Sequence, residues 1–194
     1  MKYLFVIALK KEAEIIIDHY NLNKITDNYY KKDNIELLIT DISRNGITAC
    51  LSNYIIDNNI DIRDYTMINI GMVGSNNLKI NDVYMVNESL GYHFDLTPFG
   101  DPLYKAPYSP YKMDVLNNVK VAKCYTSDGF VTNTNIKEDS LFDMELNSIV
   151  TFPFKKKYSI KVISDSLNNS EFDKFEFNES LPKIYELIDK IITE

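Results

Sequence analysis

Hydrophobic and polar positions along this chain switch repeatedly between two periods. Residues 2–9, KYLFVIAL, form a short apolar run of the kind that makes a buried strand. They lead directly into KKEAEIIIDHY, where Ala13, Ile16, Ile17 and Tyr20 share one helical face. IELLITDI (35–42) predicts a second strand. The following GITACLSNYIIDNN again has helical spacing, at Ile47, Cys50, Leu51, Tyr54 and Ile55. TMINIGMVG (66–74) predicts a buried strand closed by glycines, and DVYMVNESLGYHFD (82–95) and NVKVAKCYTSD (118–128) predict two more. SIKVISDS (159–166) reads as a strand running into a loop. The closing SLPKIYELIDKIITE predicts an amphipathic helix with Ser180 as its N-cap. Strands alternating with helices predict an α/β fold, a three-layer α/β/α sandwich around a mixed, largely parallel sheet buried on both faces. Residues 96–117 hold four of the six prolines and predict one long irregular stretch, a surface loop, a lid or a subunit contact.

Composition narrows the picture. A chain of 194 residues fills one domain, here 1–194, with a substantial core, and 45% hydrophobic with 25% charged residues is globular rather than disordered. The formal net charge is −7 and the longest basic run is Lys155–Lys157, so neither nucleic acid nor an anionic membrane is expected as a partner. Seven apolar residues precede the first charges after Lys2, too few for an export signal or a membrane span. Cys50 and Cys124 offer no CxxC pair, so reduced thiols and a cytoplasmic location are expected. His19 and His93 stand far apart, with no metal-ligand spacing.

Candidate chemistry sits where strands stop, since open α/β sheets gather their sites at the carboxyl ends of strands. Glu12 follows the first strand by one turn, Gly71 and Gly74 close TMINIG, Asp143-Met144-Glu145 follow a weaker run, and Ser164-Asp165 close SIKVI. Each has a plain alternative. A first-turn Glu suits the helix dipole, Ser-Asp suits a turn, and a Met beside an apolar run suits a core. The cluster FDMEL is harder to dismiss, because a carboxylate placed where the pattern turns inward is costly without a purpose.

In order along the chain, FVIALKKEAEII, SRNGITAC, INIGMVGSNNLKINDVYMV, YHFDLTPFG, TSDGFV, FDMEL, VISDS and EFDKF resemble the nucleoside phosphorylase superfamily. The resemblance is greatest to its hydrolytic branch, the methylthioadenosine/S-adenosylhomocysteine nucleosidases. It implies a purine nucleoside substrate, no cofactor, no metal and a homodimer. It also implies roles. Glu12 would activate the attacking water, Asp165 would protonate the leaving purine with Ser164 orienting it, and Glu145 would grip the ribose hydroxyls above Met144. Phe130 and Phe172 would cover the base, the Val131 backbone would read its edge, and Met72 and Val73 would line the pocket. Lys161 stands where the family usually has an Arg beside the carboxylate of Glu145, keeping the charge but losing the bidentate fork.

The phosphorolytic branch needs cations for phosphate. Asn69 stands where that branch has its Arg, and the chain's only arginines are Arg44 and Arg63. Water is the expected nucleophile, with phosphorolysis and a non-catalytic nucleoside-binding role as the alternatives. Two stretches look shortened: the one after residue 100, and the helix after Glu145, which Pro153 should end early.

Overall fold

The computed structural model describes residues 1–105 and 111–193. The opening run forms β1 (Lys2–Ile7), followed by α1 (Lys10–Tyr20), and these two come close to the bounds expected from their pattern. A hairpin then intervenes, β2 (Asn23–Lys24) and β3 (Tyr29–Lys32), before β4 (Ile35–Ile39) and α2 (Arg44–Asp57). The hairpin is mostly polar and only Tyr30 of its strand residues is buried, so no apolar alternation announces it. The long strands β5 (Tyr65–Ser75) and β6 (Val83–Gly91) come next. The chain continues as β7 (Val121–Thr126), β8 (Ser140–Asp143), α3 (Leu146–Ile149), β9 (Lys156–Asp165), α4 (Asn169–Phe172) and α5 (Leu181–Thr193).

The strands form one mixed sheet in the order β2-β3-β4-β1-β5-β8-β7-β6-β9. β9 also pairs with β5, so the last five strands of that order close into a ring while β4, β3 and β2 extend from β1 as an open wing. Pairings are parallel between β1 and β4, β1 and β5, β5 and β9, β6 and β7, and β7 and β8. The remaining pairs, including β5 with β8 and β6 with β9, are antiparallel. β5 is at the centre, and all of its residues are buried. A strand covered on both sides has no polar face, which is why TMINIGMVG reads as a continuous apolar run.

Alternation along β1 sorts the core into two clusters. Tyr3, Phe5 and Ile7 pack with Ala13 and Ile16 of α1 and with Ile184, Leu187, Ile188 and Ile191 of α5. Leu4 and Val6 pack on the opposite face, with Ile47 and Leu51 of α2 and Leu146 and Ile149 of α3. Side chains of successive strand residues point to opposite faces, so one strand supplies both clusters.

Two expectations change in detail. The hydroxyl of Ser180 donates to the carbonyl of Asn81 (3.3 Å) instead of capping the last helix. The Ser180 carbonyl receives the N–H groups of Lys183 and Ile184. The stretch 96–117 is irregular but partly packed, since Met113 and Leu116 are buried and Lys112 bridges to Glu88; its residues 106–110 lie outside the described residues. The helix after Glu145 is short, as Pro153 led us to expect. α3 ends at Ile149 and tighter turns carry the chain to Phe152, next to the proline.

Phe5 is fully buried between its neighbours β4 and β5. Phe5→Ala is expected to lower unfolding stability by about 3–5 kcal/mol in urea titration, from lost transfer energy plus the cavity left behind. A loss below about 1 kcal/mol would contradict the burial of Phe5 in the cluster it shares with α1 and α5.

Candidate active site

Glu12 is the third residue of α1 and is buried, although its neighbours Lys10 and Lys11 are exposed. Its Oε2 accepts the N–H of Leu9 (3.0 Å), which ties it to the start of its own helix. Its Oε1 accepts the N–H of Met72 (2.9 Å), which ties it to the end of β5. The ordinary first-turn role and a place in a site are therefore filled by the same side chain. Burial raises its pKa, and the two amide donors and the charge of Lys161 work against that rise. Gly71 makes room for this, because a Cβ there would lie 3.3 Å from Glu12 Oε1 and 3.4 Å from Lys161 Nζ.

Asp165 owes its position to an irregularity in β9. The β5–β9 register pairs Val73 with Ile163 but Gly74 with Asp165, so Ser164 is an extra residue on that strand. Such a bulge bends the strand and re-aims its side chains. The Ser164 hydroxyl lies 2.8 Å from Asp165 Oδ2 and 3.2 Å from the Val73 carbonyl, while Asp165 Oδ1 accepts the N–H of Asn168 (3.1 Å). A Cβ on residue 74 would lie 2.8 Å from Asp165 Oδ1, so only glycine leaves this carboxyl where it is. Burial raises the pKa of Asp165, against the Ser164 and Asn168 donors.

Between these two acids lies a fully buried ion pair, Lys161 Nζ to Asp143 Oδ2 at 2.9 Å, with side-chain exposures of 2% and 0%. Asp143 also accepts from Thr126 Oγ1 (2.6 Å) and from the Leu146 N–H (3.1 Å), and the Asn147 N–H bonds to Thr126 Oγ1 (2.9 Å). One carboxylate thus fastens β7, β8, α3 and β9 together. Burial opposes the charge of Lys161, but Asp143, followed by Cys124 and Glu145, outweighs it and raises the pKa of the ammonium. Here an expectation changes: the cation expected at Glu145 makes its ion pair with Asp143. Asp143 is fully buried and must have a partner, whereas Glu145 senses Lys161 only through its field. Burial first and Asp143 second push Glu145 up to about 7. Among the described residues, its carboxylate accepts a hydrogen bond from the Met144 N–H (3.3 Å).

These groups border one cleft, which encloses about 670 Å³ including the space that opens to solvent. Glu12, Glu145 and Asp165 all line it, as do Met144, Met72 and Val73. Phe130, Val131 and Phe172 line it as well, and the rings of Phe130 and Phe172 meet edge to face with centroids 5.8 Å apart. Lys11 Nζ sits 5.1 Å from the Phe172 ring centre. Of the residues expected in the site, Ser164 and Lys161 lie behind this lining: Ser164 supports Asp165, and Lys161 lies beneath the floor. Asp143 also lines the cleft; the sequence marked it at a strand end but gave it no role. It sits inside FDMEL, but nothing in the spacing says which cation it would meet. Ile42 and Phe142 also line the cleft and carry no signal in the sequence beyond being apolar.

No protein-family profile matches the chain, and no curated protein matches it. Solved structures do. A Borrelia burgdorferi protein assigned as a 5′-methylthioadenosine/S-adenosylhomocysteine nucleosidase, bound to adenine, superposes with a TM-score of 0.78 at 27% identity, over 96% of this chain and 99% of that one. The Neisseria meningitidis nucleosidase in complex with methylthio-immucillin-A has a TM-score of 0.78 at 19% identity, over 98% and 100%. Futalosine hydrolase of Helicobacter pylori has a TM-score of 0.77 at 19% identity, over 98% of both chains. The chain therefore shares the mixed α/β fold of the nucleoside phosphorylase and hydrolase superfamily. Among these structural neighbours are methylthioadenosine/S-adenosylhomocysteine nucleosidases and a futalosine hydrolase.

Two outcomes follow from the buried charges. Lys161→Met strands Asp143 without its cation and is expected to cost about 3–5 kcal/mol of stability, with Asp143→Leu in the same chain recovering much of it. Equal losses in the single and double variants would argue against the pairing. The second concerns pH. Glu145 has a higher pKa folded than unfolded, so the unfolded chain ionises first as pH rises and wild-type stability falls between about 4.5 and 7. A pKa that differs by one between folded and unfolded chains corresponds to about 1.4 kcal/mol. Thermal melts should show Glu145→Gln gaining on the wild type from pH 4 to pH 8; parallel curves would contradict the burial of this carboxyl.

Proposed function

We propose that this protein is a purine nucleosidase that hydrolyses the N-ribosidic bond of methylthioadenosine- or S-adenosylhomocysteine-type nucleosides to free base and sugar. The observation that carries this reading is that Glu12, Glu145 and Asp165, far apart in the chain, border one cleft that Phe130 and Phe172 also line. A nucleoside would set its base against the Phe130 and Phe172 rings and its ribose over Met144. Glu145 then accepts from the sugar hydroxyls.

The reaction breaks the bond between C1′ and the base nitrogen, and the bonding pair leaves with the purine. Asp165 supplies the proton that neutralises the leaving base at N7; a carboxyl raised by burial still holds that proton above the ordinary carboxylate range. The sugar becomes oxocarbenium-like, and Glu145 and Glu12 lie where a negative charge offsets the one that develops. Water adds to C1′ and gives its proton to Glu12.

Water is favoured over phosphate by what the arginines do. Arg44 is bound bidentately by Asp128, and Arg63 is bound by Asp61. Asn69 lies inside the sheet, donating to the Val6 carbonyl and accepting from Ser159, away from any anion. Glu12 would repel phosphate at the place where it had to attack.

The finer architecture belongs to the same proposal. Helices α1 and α5 on one face and α2 and α3 on the other support a single three-layer sandwich spanning the chain. Exposed Phe99 and Leu103 support a homodimer, and free Cys50 and Cys124 suit a reducing cytoplasm. Among the described residues no helix is long and apolar enough to cross a membrane.

Incubation with methylthioadenosine, S-adenosylhomocysteine, adenosine and inosine, with and without phosphate, tests the proposal. Free base and free sugar are expected at rates independent of phosphate. Asp165→Asn and Glu12→Gln are each expected to slow turnover by roughly 10²- to 10⁴-fold, the scale of a positioned acid or base. Sugar phosphate as product would establish the phosphorylase instead, and tight binding without turnover would leave a binding protein. The rate should fall on the acid side as Glu12 is protonated and on the alkaline side as Asp165 is deprotonated. Both limbs should lie above the ordinary carboxylate range, because burial raises both groups.

A further inference from the structure

The polar groups that hold the aromatic lining of the cleft are not accounted for by the chemistry above. The segment Ser127–Val131 carries Phe130 and Val131, has no regular structure, and is exposed at Asp128, Gly129 and Phe130. Its start is held by the Ser127 N–H on the Asp143 carbonyl (2.8 Å) and by the Ser127 hydroxyl, 3.1 Å from His93 Nε2. Further on, Val131 packs against Leu90, Tyr125 and Phe142, and the Tyr92 hydroxyl donates to the Asn133 carbonyl (3.2 Å), while the Gly129 N–H bonds to Ser127 Oγ within its own turn (3.3 Å). The exposed tip between them has a further anchor on α2. Arg44, the first residue of α2, donates from Nε to Asp128 Oδ1 (2.7 Å) and from its terminal nitrogen to Asp128 Oδ2.

The geometry points to Arg44 as a positioning residue for the nucleoside site: its fork on Asp128 clips the Phe130–Val131 wall to the start of α2, setting the width of the base slot. This rests on the function proposed above. Arg44 is two residues from Ile42, and Asp128 is two from Phe130; Ile42 and Phe130 both line the cleft. The pair therefore joins two segments that each contribute to the lining. A planar guanidinium bonded to both carboxylate oxygens fixes distance and orientation together, which a lysine could not do. The Arg44 side chain is largely covered, at 28% exposure, so it makes its contact at a set place rather than sweeping through solvent. The start of α2 is itself held by Ser43, whose hydroxyl accepts the Gly46 N–H (3.1 Å). The clip thus joins the capped start of α2 to the exposed tip of the segment, Asp128 to Phe130.

The test is a double-mutant cycle on the full chain. Arg44→Gln and Asp128→Asn are each expected to raise KM for methylthioadenosine about three- to tenfold while kcat stays within about twofold, because the wall loosens and the acids do not move. The two changes together should raise KM no further than either alone. Charge exchange, Arg44→Asp with Asp128→Arg, should return KM most of the way. Calorimetric affinity for adenine should follow the same pattern. Unchanged KM in the single variants, additive effects, or a loss confined to kcat would overturn the proposal. So would sugar phosphate formation that Arg44→Gln abolishes, because Arg44 would then be an anion ligand. If the wild type releases no base from any nucleoside, the proposed function fails, and amide hydrogen exchange then decides the clip. Arg44→Gln should speed exchange at residues 128–131 and leave β5 unchanged; equal protection in both proteins would overturn it.

Discussion

The ion pair between Lys161 and Asp143 is the interaction on which the cleft depends. Four carboxylates, Glu12, Asp143, Glu145 and Asp165, are brought out of water within a few strand ends of one another, and one buried ammonium lies among the first three. Isolated charges in such a place would neutralise or push the elements apart. Lys161 lets Asp143 remain ionised, and an ionised Asp143 in turn organises Thr126, the first turn of α3 and the end of β8. What the single cation cannot do is neutralise all of its neighbours. Glu12 and Glu145 are left raised, with Glu145 poised near 7. That incomplete compensation leaves both carboxyls above the ordinary carboxylate range, so that each can change its charge more readily than an exposed one.

The backbone makes this concentration of acids geometrically possible. Gly71 and Gly74 lie on β5 where its neighbours crowd most closely, against Glu12 and Lys161 at one position and Asp165 at the other. The extra residue Ser164 in β9 then turns Asp165 onto the side of the sheet where the cleft lies, and Ser164 itself supports that carboxyl. Closure of β5, β8, β7, β6 and β9 into a ring gives these strand ends a common rim. A purely open sheet would have spread the same residues along an edge. The arrangement costs stability, since every raised carboxyl favours the unfolded chain at neutral pH, and the two apolar clusters on either side of β1 are what offset it.

Much of the fold was legible in the sequence because it is written as periodicity. β1, α1, β4, α2, β5 and β9 announce themselves by apolar runs and helical faces, and the observed bounds differ from the expected ones only near the ends. The candidate acids were legible because they stand at strand ends in an order shared with a known superfamily. The β2–β3 hairpin was not, being polar and barely buried, and neither was the use of the Ser180 hydroxyl, which is decided by how close Asn81 comes.

By itself, then, the sequence determined an α/β fold and the strands at whose ends Glu12, Glu145 and Asp165 stand, while the roles expected of these acids came from the resemblance. The strands and helices follow from hydrophobic periodicity, which is a property of neighbours in the chain. Only the tertiary structure decided that Lys161 pairs with Asp143 and that Arg44 reaches Asp128. It alone decided that one residue of slippage between β5 and β9 aims Asp165. Those are relations between segments tens of residues apart, set by sheet register and by which charges burial forces together, and no local pattern encodes them.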